Sequence, residues 1–404
     1  MLAVQFVANH ESEQQGAQVW TTSHRRLRHA IRCSDMIQKN LIMADTVRRE
    51  CFLLGGFFDS MGKPREAEQI YQRALKSEYK ADEPLDPSDL DTINSLACIY
   101  REQGRLGEAE RMFEQVIDGN ENKYGSTHHL VLDAVNNLGN VYKSQGKLWE
   151  AEQMYQRALE GYEREVTIPY DVKILDTLTN LGNVYADQNQ LTEAEDMYQR
   201  ALVGYEKQET HDDISTLDLL NNLGLLCAKQ NKLVEAEQMY QRAIQGYEKA
   251  KGPNNMLTLD IINNLGTLYA DHQGKVVEAK EIYERVLQGY EETLGADKMV
   301  HYVPALHTIW NLGELSENRG DLENAHTMYS KALAGYIDVL GHQHSTSRES
   351  QDKVNEILAL VEKGRRAELE EPVHQASEGS SQTTPQGTTP KTKRHRLLRK
   401  LRLR

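Results

Sequence analysis

Residues 138–159 read LGNVYKSQGKLWEAEQMYQRAL, and the same wording returns as LGNVYADQNQLTEAEDMYQRAL at 181–202 and LGLLCAKQNKLVEAEQMYQRAI at 223–244. Weaker copies begin at Leu54, Leu96, Leu265 and Leu312. The Ala of the shared E-A motif, N-A in the last copy, recurs at Ala67, Ala109, Ala151, Ala194, Ala236, Ala279 and Ala325, in steps of 42, 42, 43, 42, 43 and 46 residues. In-phase self-similarity of this length marks a repeat architecture, in which each copy is one supersecondary unit.

Each unit reads as two helices. The first carries Leu132, Val135, Leu138, Val141 and Tyr142 at helical spacing. A short turn of the QGK or QNK type follows, where Gly or Asn takes the left-handed conformation that ends a helix. The second helix puts Ala151, Met154, Tyr155, Ala158, Leu159 and Tyr162 on one stripe. Gly139, Ala151 and Ala158 are small enough for close helix approach, and the large Leu and Tyr side chains fill the space beside them.

Those residues carry a resemblance. L-G-x-x-Y, followed by the E-A motif and Y…A-L, resembles the tetratricopeptide repeat (TPR). Its length is similar to the 42-residue subtype found in kinesin light chains. The wording NNLGxxYxxQGKxxEAExxYQRALxGYE is similar to repeat arrays of fungal NLR-like STAND proteins, here without their nucleotide-binding domain. The resemblance implies an all-α, right-handed superhelical α-solenoid of about seven TPR helix pairs with flanking cap helices. We expect an N-terminal helical cap over 1–42, the array over 43–340 and a C-terminal cap helix over 341–371. A linker over 372–390 and a basic tail over 391–404 follow. The caps rest on Trp20, Leu27, Ile31 and Met36 at one end, and on Val354, Ile357, Leu358 and Val361 at the other.

Composition narrows the function. The chain has 404 residues and a net charge of −14. Residues 391–404, KTKRHRLLRKLRLR, hold eight Lys or Arg and no acid, which leaves −22 on residues 1–390. The segment between array and tail is rich in Ser, Thr, Gln, Pro and Gly, the composition of a flexible linker. No apolar run reaches the roughly 18 residues of a membrane span. The four cysteines (Cys33, Cys51, Cys98, Cys227) form no CxxC pair, which fits a reducing, cytoplasmic setting. The tail leaves nuclear entry open. It also suits contact with nucleic acid, with an anionic membrane, or with the chain's own acidic body.

Catalytic patterns fail on inspection. GFFDSMGKP, Gly56 to Pro64, has the wrong spacing for a phosphate-binding loop, puts Pro64 where Ser or Thr should ligate magnesium, and coincides with the repeat turn. Of the 19 tyrosines, 15 fall at the positions of Tyr142, Tyr155 and Tyr162, as packing residues. Paired acids such as Glu150 and Glu152 point to different helix faces. Histidines such as His128, His129, His342 and His344 lie in inter-repeat loops without the converging set a metal needs. We therefore expect no enzyme, no cofactor and no metal site.

A polar ladder runs along the first helices instead. Asn stands just before each repeat Leu at Asn137, Asn180, Asn222, Asn264 and Asn311, with Asp four residues earlier at Asp133, Asp176, Asp218 and Asp260. Residues at i and i+4 share a face. In TPR arrays the first helices line the concave surface, and the resemblance implies that these amides contact the backbone of an extended peptide. Alternatively, Asn and Asp bridge neighbouring helices. A solvated Asp row biases such a groove toward Lys/Arg-bearing segments. Lys143, Lys229 and Arg101 are too scattered for a carboxylate clamp. The last repeat has His307 in place of Asp and adds Trp310 beside Asn311, either as a partner hot spot or packed on the C-terminal cap. The expected function is a protein-binding scaffold or adaptor; a STAND sensor half and a kinesin-light-chain-like cargo adaptor are the alternatives.

Overall fold

The computed structural model describes residues 48–76, 87–165, 171–208 and 213–370, together with Ile31 and Ser34. The linker and the basic tail lie outside them, as does the N-terminal cap except for Ile31 and Ser34. Ile31, expected to face inward, is 40% exposed. The described residues form helices and turns without a strand. The first-helix/second-helix pairs are α1 (Arg48–Ser60) with α2 (Pro64–Lys76), α3 (Pro87–Glu102) with α4 (Leu106–Tyr124), and α5 (His129–Ser144) with α6 (Leu148–Glu165). They continue as α7 (Val172–Asp187) with α8 (Leu191–Lys207), and α9 (Ile214–Lys229) with α10 (Leu233–Lys251). Next come α11 (Met256–Leu268) with α12 (Val276–Leu294), a short α13 (Ala296–Met299), α14 (Val303–Asn318) with α15 (Leu322–Leu340), and α16 (Ser345–Glu370). The architecture is an all-α solenoid of repeated helix pairs.

The chain divides into two compact units, Met1–Gly204 and Tyr205–Arg404, the division falling inside α8. In the first, second helices pack on the next first helix, α4 on α5 and α6 on α7. The second repeats this arrangement with α10 on α11, α12 on α14 and α15 on α16.

The third repeat shows why the sequence folds this way. His128 caps α5, its Nδ1 accepting from Leu130 N at 3.3 Å. The helix ends at Gly146 with φ 75°, and Lys147 N closes the turn on Tyr142 O at 2.9 Å. Asn189 and Asn231 take the same left-handed role at φ 64° and 62°. The hairpin is held by two reciprocal insertions. Tyr155 of α6 packs against Gly139 of α5, where an added Cβ would sit 2.8 Å from the ring. Leu132 of α5 lies against Gly161 of α6, where a Cβ would sit 2.3 Å away. Gly224/Tyr240 and Gly246/Leu217 repeat the arrangement in the second unit.

Two irregular steps in the period have distinct structural causes. The single extra residue of the sixth repeat widens the end of its first helix into a π turn at Tyr269–Gln273, so Lys275 N bonds Tyr269 O at 3.1 Å. The longest step holds α13, whose Met299 is buried among Leu259, Ile262, Val286, Tyr290 and Ala305.

The array ends on half a repeat. His344 caps α16 as His128 caps α5, with Thr346 N donating to its Nδ1 at 3.2 Å. Val354, Ile357 and Val361 enter the core of the seventh repeat, while Leu358 stays exposed. Where α5 presents Leu132, Val135 and Gly139 to its second helix, α16 has Arg348, Gln351 and Asn355, all exposed. This polar outer face is what a terminal repeat needs to stop the stack.

Candidate functional site

The Asp row is tied down by the second helices. Tyr162 donates to Asp133 Oδ1 at 2.6 Å, and Lys173 of the next repeat donates to Asp133 Oδ2 at 2.7 Å. Tyr247 donates to Asp218, and Tyr290 to Asp260. Burial, followed by the Asp partner, holds the Tyr162, Tyr247 and Tyr290 hydroxyls well above the usual phenol range. Burial also pushes the Asp218 and Asp260 carboxyls up, against the lowering effect of the hydroxyl each accepts. Asp176 sits at the same register on α7, half-buried.

Two repeats lack one member of this pair, and each buries an unsatisfied atom. In the second repeat Asn120 replaces the Tyr opposite Asp91; it is buried and its Oδ1 has no partner. In the seventh, His307 replaces the Asp opposite Tyr336, and the buried Tyr336 hydroxyl has no partner. The His307 ring lies 5.6 Å from the Tyr336 ring. The pair therefore behaves as one structural device, costly to half-remove.

The Asn row is not uniform. Asn137 and Asn180, in the first unit, are half-buried, and their side chains make no hydrogen bond among the described residues. One turn along the same helices, Asn140 accepts from Tyr155 at 2.7 Å and Asn183 from Tyr198 at 2.6 Å. In the second unit, Asn264 donates to Asn221 of the preceding repeat at 3.1 Å. Asn311 is 7% exposed and donates to Thr267, which also accepts from Tyr283. Asn222 sits at the same register on α9, half-buried. Trp310 is 3% exposed, 4.4 Å from the Tyr329 ring, and shares its core with Val354, Ile357 and Val361.

Sequence reasoning missed the first Asn of each N-N doublet. Asn136 accepts from Thr177 at 3.2 Å, and Asn263 accepts from Thr308 at 3.0 Å, each one repeat on. The doublet itself was the signal, since adjacent helix positions face different neighbours. Paired acids of the Glu150/Glu152 kind do point to different faces, and the second Glu of each pair staples successive repeats. Glu110 accepts from Gln145 at 2.7 Å and Lys147 at 3.2 Å, and Glu237 accepts from Tyr269 at 2.6 Å and Lys275 at 3.5 Å. His128 and His344, read as loop residues, are helix caps. The GFFDSMGKP segment is a repeat turn in which Lys63 pairs with Glu66 at 3.2 Å. Among the described residues no group of three or more His, Cys, Asp and Glu is arranged to hold a metal ion, and no helix is long and apolar enough to cross a membrane.

Stacked helical hairpins with a polar first-helix face define a class of repeat scaffold. The family model of the tetratricopeptide repeat matches residues 52–122, 88–164, 173–249 and 215–292, so the chain belongs to the TPR family. A TPR array is in general a non-catalytic protein-interaction scaffold.

Among solved structures, the chain is similar to the apo form of RapI, at 13% identity over 72% of this chain and 98% of that one, with a TM-score of 0.55. It is also similar to a Signal Transduction ATPase with Numerous Domains with a TPR sensor from Pyrococcus horikoshii, at 14% identity, with a TM-score of 0.55. That match spans 83% of this chain and 46% of the Pyrococcus protein. A putative kinesin light chain with nearly identical TPR-like repeats from Podosopora anserina matches at 21% identity over 51% of this chain and 97% of that one, with a TM-score of 0.45. No curated protein matches the chain in sequence.

Proposed function

We propose that the chain is a scaffold that holds an extended partner segment along the first-helix face of α3, α5 and α7. The observation that carries this is the state of Asn137 and Asn180. They share one register position on successive first helices, and their amides are uncommitted among the described residues. A side-chain amide donates and accepts at once, so it matches a peptide group in the partner backbone. Half-burial strengthens such a bond by limiting competition from water. The other assigned rungs, Asn264 and Asn311, already spend their donors on neighbouring repeats. A cargo adaptor and a sensor module would both use this face and differ only in what is attached to it.

The test compares partner binding by the intact chain, by Asn137→Ala/Asn180→Ala and by Asn264→Ala. The first double variant should stay folded by circular dichroism and lose partner binding. If it binds as the parent does, the face is structural throughout and recognition lies elsewhere.

A further inference from the structure

The second residue of each second helix stands two before the repeat Ala, beside the hairpin turn. In the second unit it is Val234 on α10 and Val277 on α12, 65% and 62% exposed, in contrast to the usual burial of Val. An exposed Glu follows each, Glu235 and Glu278. These carboxylates make no ion pair or side-chain hydrogen bond among the described residues. The turn cation next to Glu278 is Lys275, which lies 3.5 Å from Glu237 and 4.3 Å over the Tyr269 ring. In the first two repeats the same Glu is paired, Glu66 with Lys63 at 3.2 Å and Glu108 with Arg105 at 2.6 Å, and Arg65 or Gly107 precedes it. The third repeat has Trp149–Glu150 there and the fourth Thr192–Glu193. Only the second unit sets two apolar–acid pairs on successive hairpins.

The seventh repeat shows what this edge receives. Its residue in the register of Val277 is Glu323, and Arg365 of α16 donates to it through Nε at 3.1 Å and Nη2 at 2.7 Å. The last helix therefore brings the chain back onto the turn edge, one repeat beyond Val277. Residues 371–390 separate α16 from the basic tail. A coil of that length has an end-to-end distance of about 25 Å. One first helix lies between successive second helices, so equivalent positions on α10, α12 and α15 are roughly 16–20 Å apart. The edge at α12 is thus within easy reach of residue 391. Residues 391–404 bring eight Lys or Arg, no acid, and Leu397, Leu398, Leu401 and Leu403. An extended stretch from Leu398 to Leu403 spans about 17 Å, one step of the edge. Leu and cation are interleaved in the tail as apolar residue and acid are along the edge.

We propose that residues 391–404 dock in cis on the turn edge of α10 and α12, their Leu side chains covering Val234 and Val277 and their cations pairing with Glu235 and Glu278. Opposite charge alone would spread the tail over the whole acidic body, and screening by salt would weaken it everywhere. The exposed Val side chains fix the place. This edge is distinct from the first-helix face, so the docking is independent of the groove reading above.

The full chain is treated at physiological salt with a carbodiimide, which joins a Lys amine to a carboxylate in contact with it, and the joined peptides are identified by mass spectrometry. Lys391, Lys393 and Lys400 should join Glu235 and Glu278 about fivefold more than the exposed Glu281 and Glu291 of α12. Val234→Ser/Val277→Ser keeps both carboxylates, should stay folded by circular dichroism, and should bring that ratio to about one. Leu401→Ser/Leu403→Ser should do the same from the side of the tail. In a mixture of isotopically light and heavy chains, the links should stay within one chain. Links spread evenly over the acids, or a preference that survives both variants, overturn the proposal. Links between light and heavy chains make a second copy the occupant and overturn docking in cis.

Discussion

The first-helix face of α3, α5 and α7 and that of α9, α11 and α14 are built from one repeat and have been finished differently. In the first, Asn137 and Asn180 are uncommitted among the described residues. In the second, Asn264 and Asn311 hydrogen-bond to the preceding repeat, and Trp310 is sunk in the core. The same side-chain amide is uncommitted among the described residues on one face and a fastening on the other. Asn136 and Asn221 hold the same register, but Asn136 accepts from Thr177 while Asn221 accepts from Asn264, Ile261 standing on α11 where Thr177 stands on α7; Thr267 meets Asn311. A repeat position thus sets where a side chain points, and the adjacent copy decides what it has left to give.

The largest effect expected is at Trp310. Trp310→Ala empties a packed core and should cost about 3–5 kcal/mol of stability, read by denaturant unfolding. A Trp serving a partner would instead lose binding at unchanged stability, and that outcome would break the contrast between the faces. Next come the amides. Asn311→Ala strands the groups around Thr267 and should cost about 1–3 kcal/mol. Asn137→Ala and Asn180→Ala should each stay within about 0.5 kcal/mol of the parent while weakening partner binding. Equal stability losses at all three positions would erase the distinction.

The fold was legible because its determinants are local and repeated seven times. The Leu/Gly/Tyr spacing fixes both helices, and Gly or Asn in the turn fixes their reversal. The reciprocal insertion of Tyr155 against Gly139 could be half-read from Gly139, but Gly161 received no role until Leu132 was seen against it. The site was legible only as positions. Asn137 and Asn264 look identical in sequence, even in the Asn94 and Asn221 that precede them by 43 residues, and only the packing between copies tells them apart. The Asp row misled for a similar reason: the hydroxyl that binds Asp133 belongs to Tyr162, whose aromatic ring suggested packing alone.

His307→Asp sharpens the account of the seventh repeat. It restores the acceptor that Tyr336 lacks and should stabilise the chain by about 1 kcal/mol, seen as a higher melting temperature. Unchanged or lower stability would mean that Trp310 and α16 have reshaped this repeat beyond the Asp–Tyr pair.

The smallest effect is one of pH, and it contrasts Asp133, under Lys173, with Asp260. Among the described residues Asp260 has a hydroxyl donor but no ion pair. Burial raises its folded pKa above the ordinary carboxylate value, so the folded chain holds this proton where the unfolded chain has released it. The stability Asp260 contributes is fully present below the unfolded value and is lost as pH rises through the folded one. Asp260→Asn keeps an oxygen for Tyr290 and removes the titration. The variant should therefore gain on the parent as pH rises across that window, in melting curves taken at a series of pH values. A gap that shrinks with rising pH would show that the folded chain favours the ionised carboxylate. Asp260 would then need a counter-charge as Asp133 has one, and the two faces would be electrostatically alike.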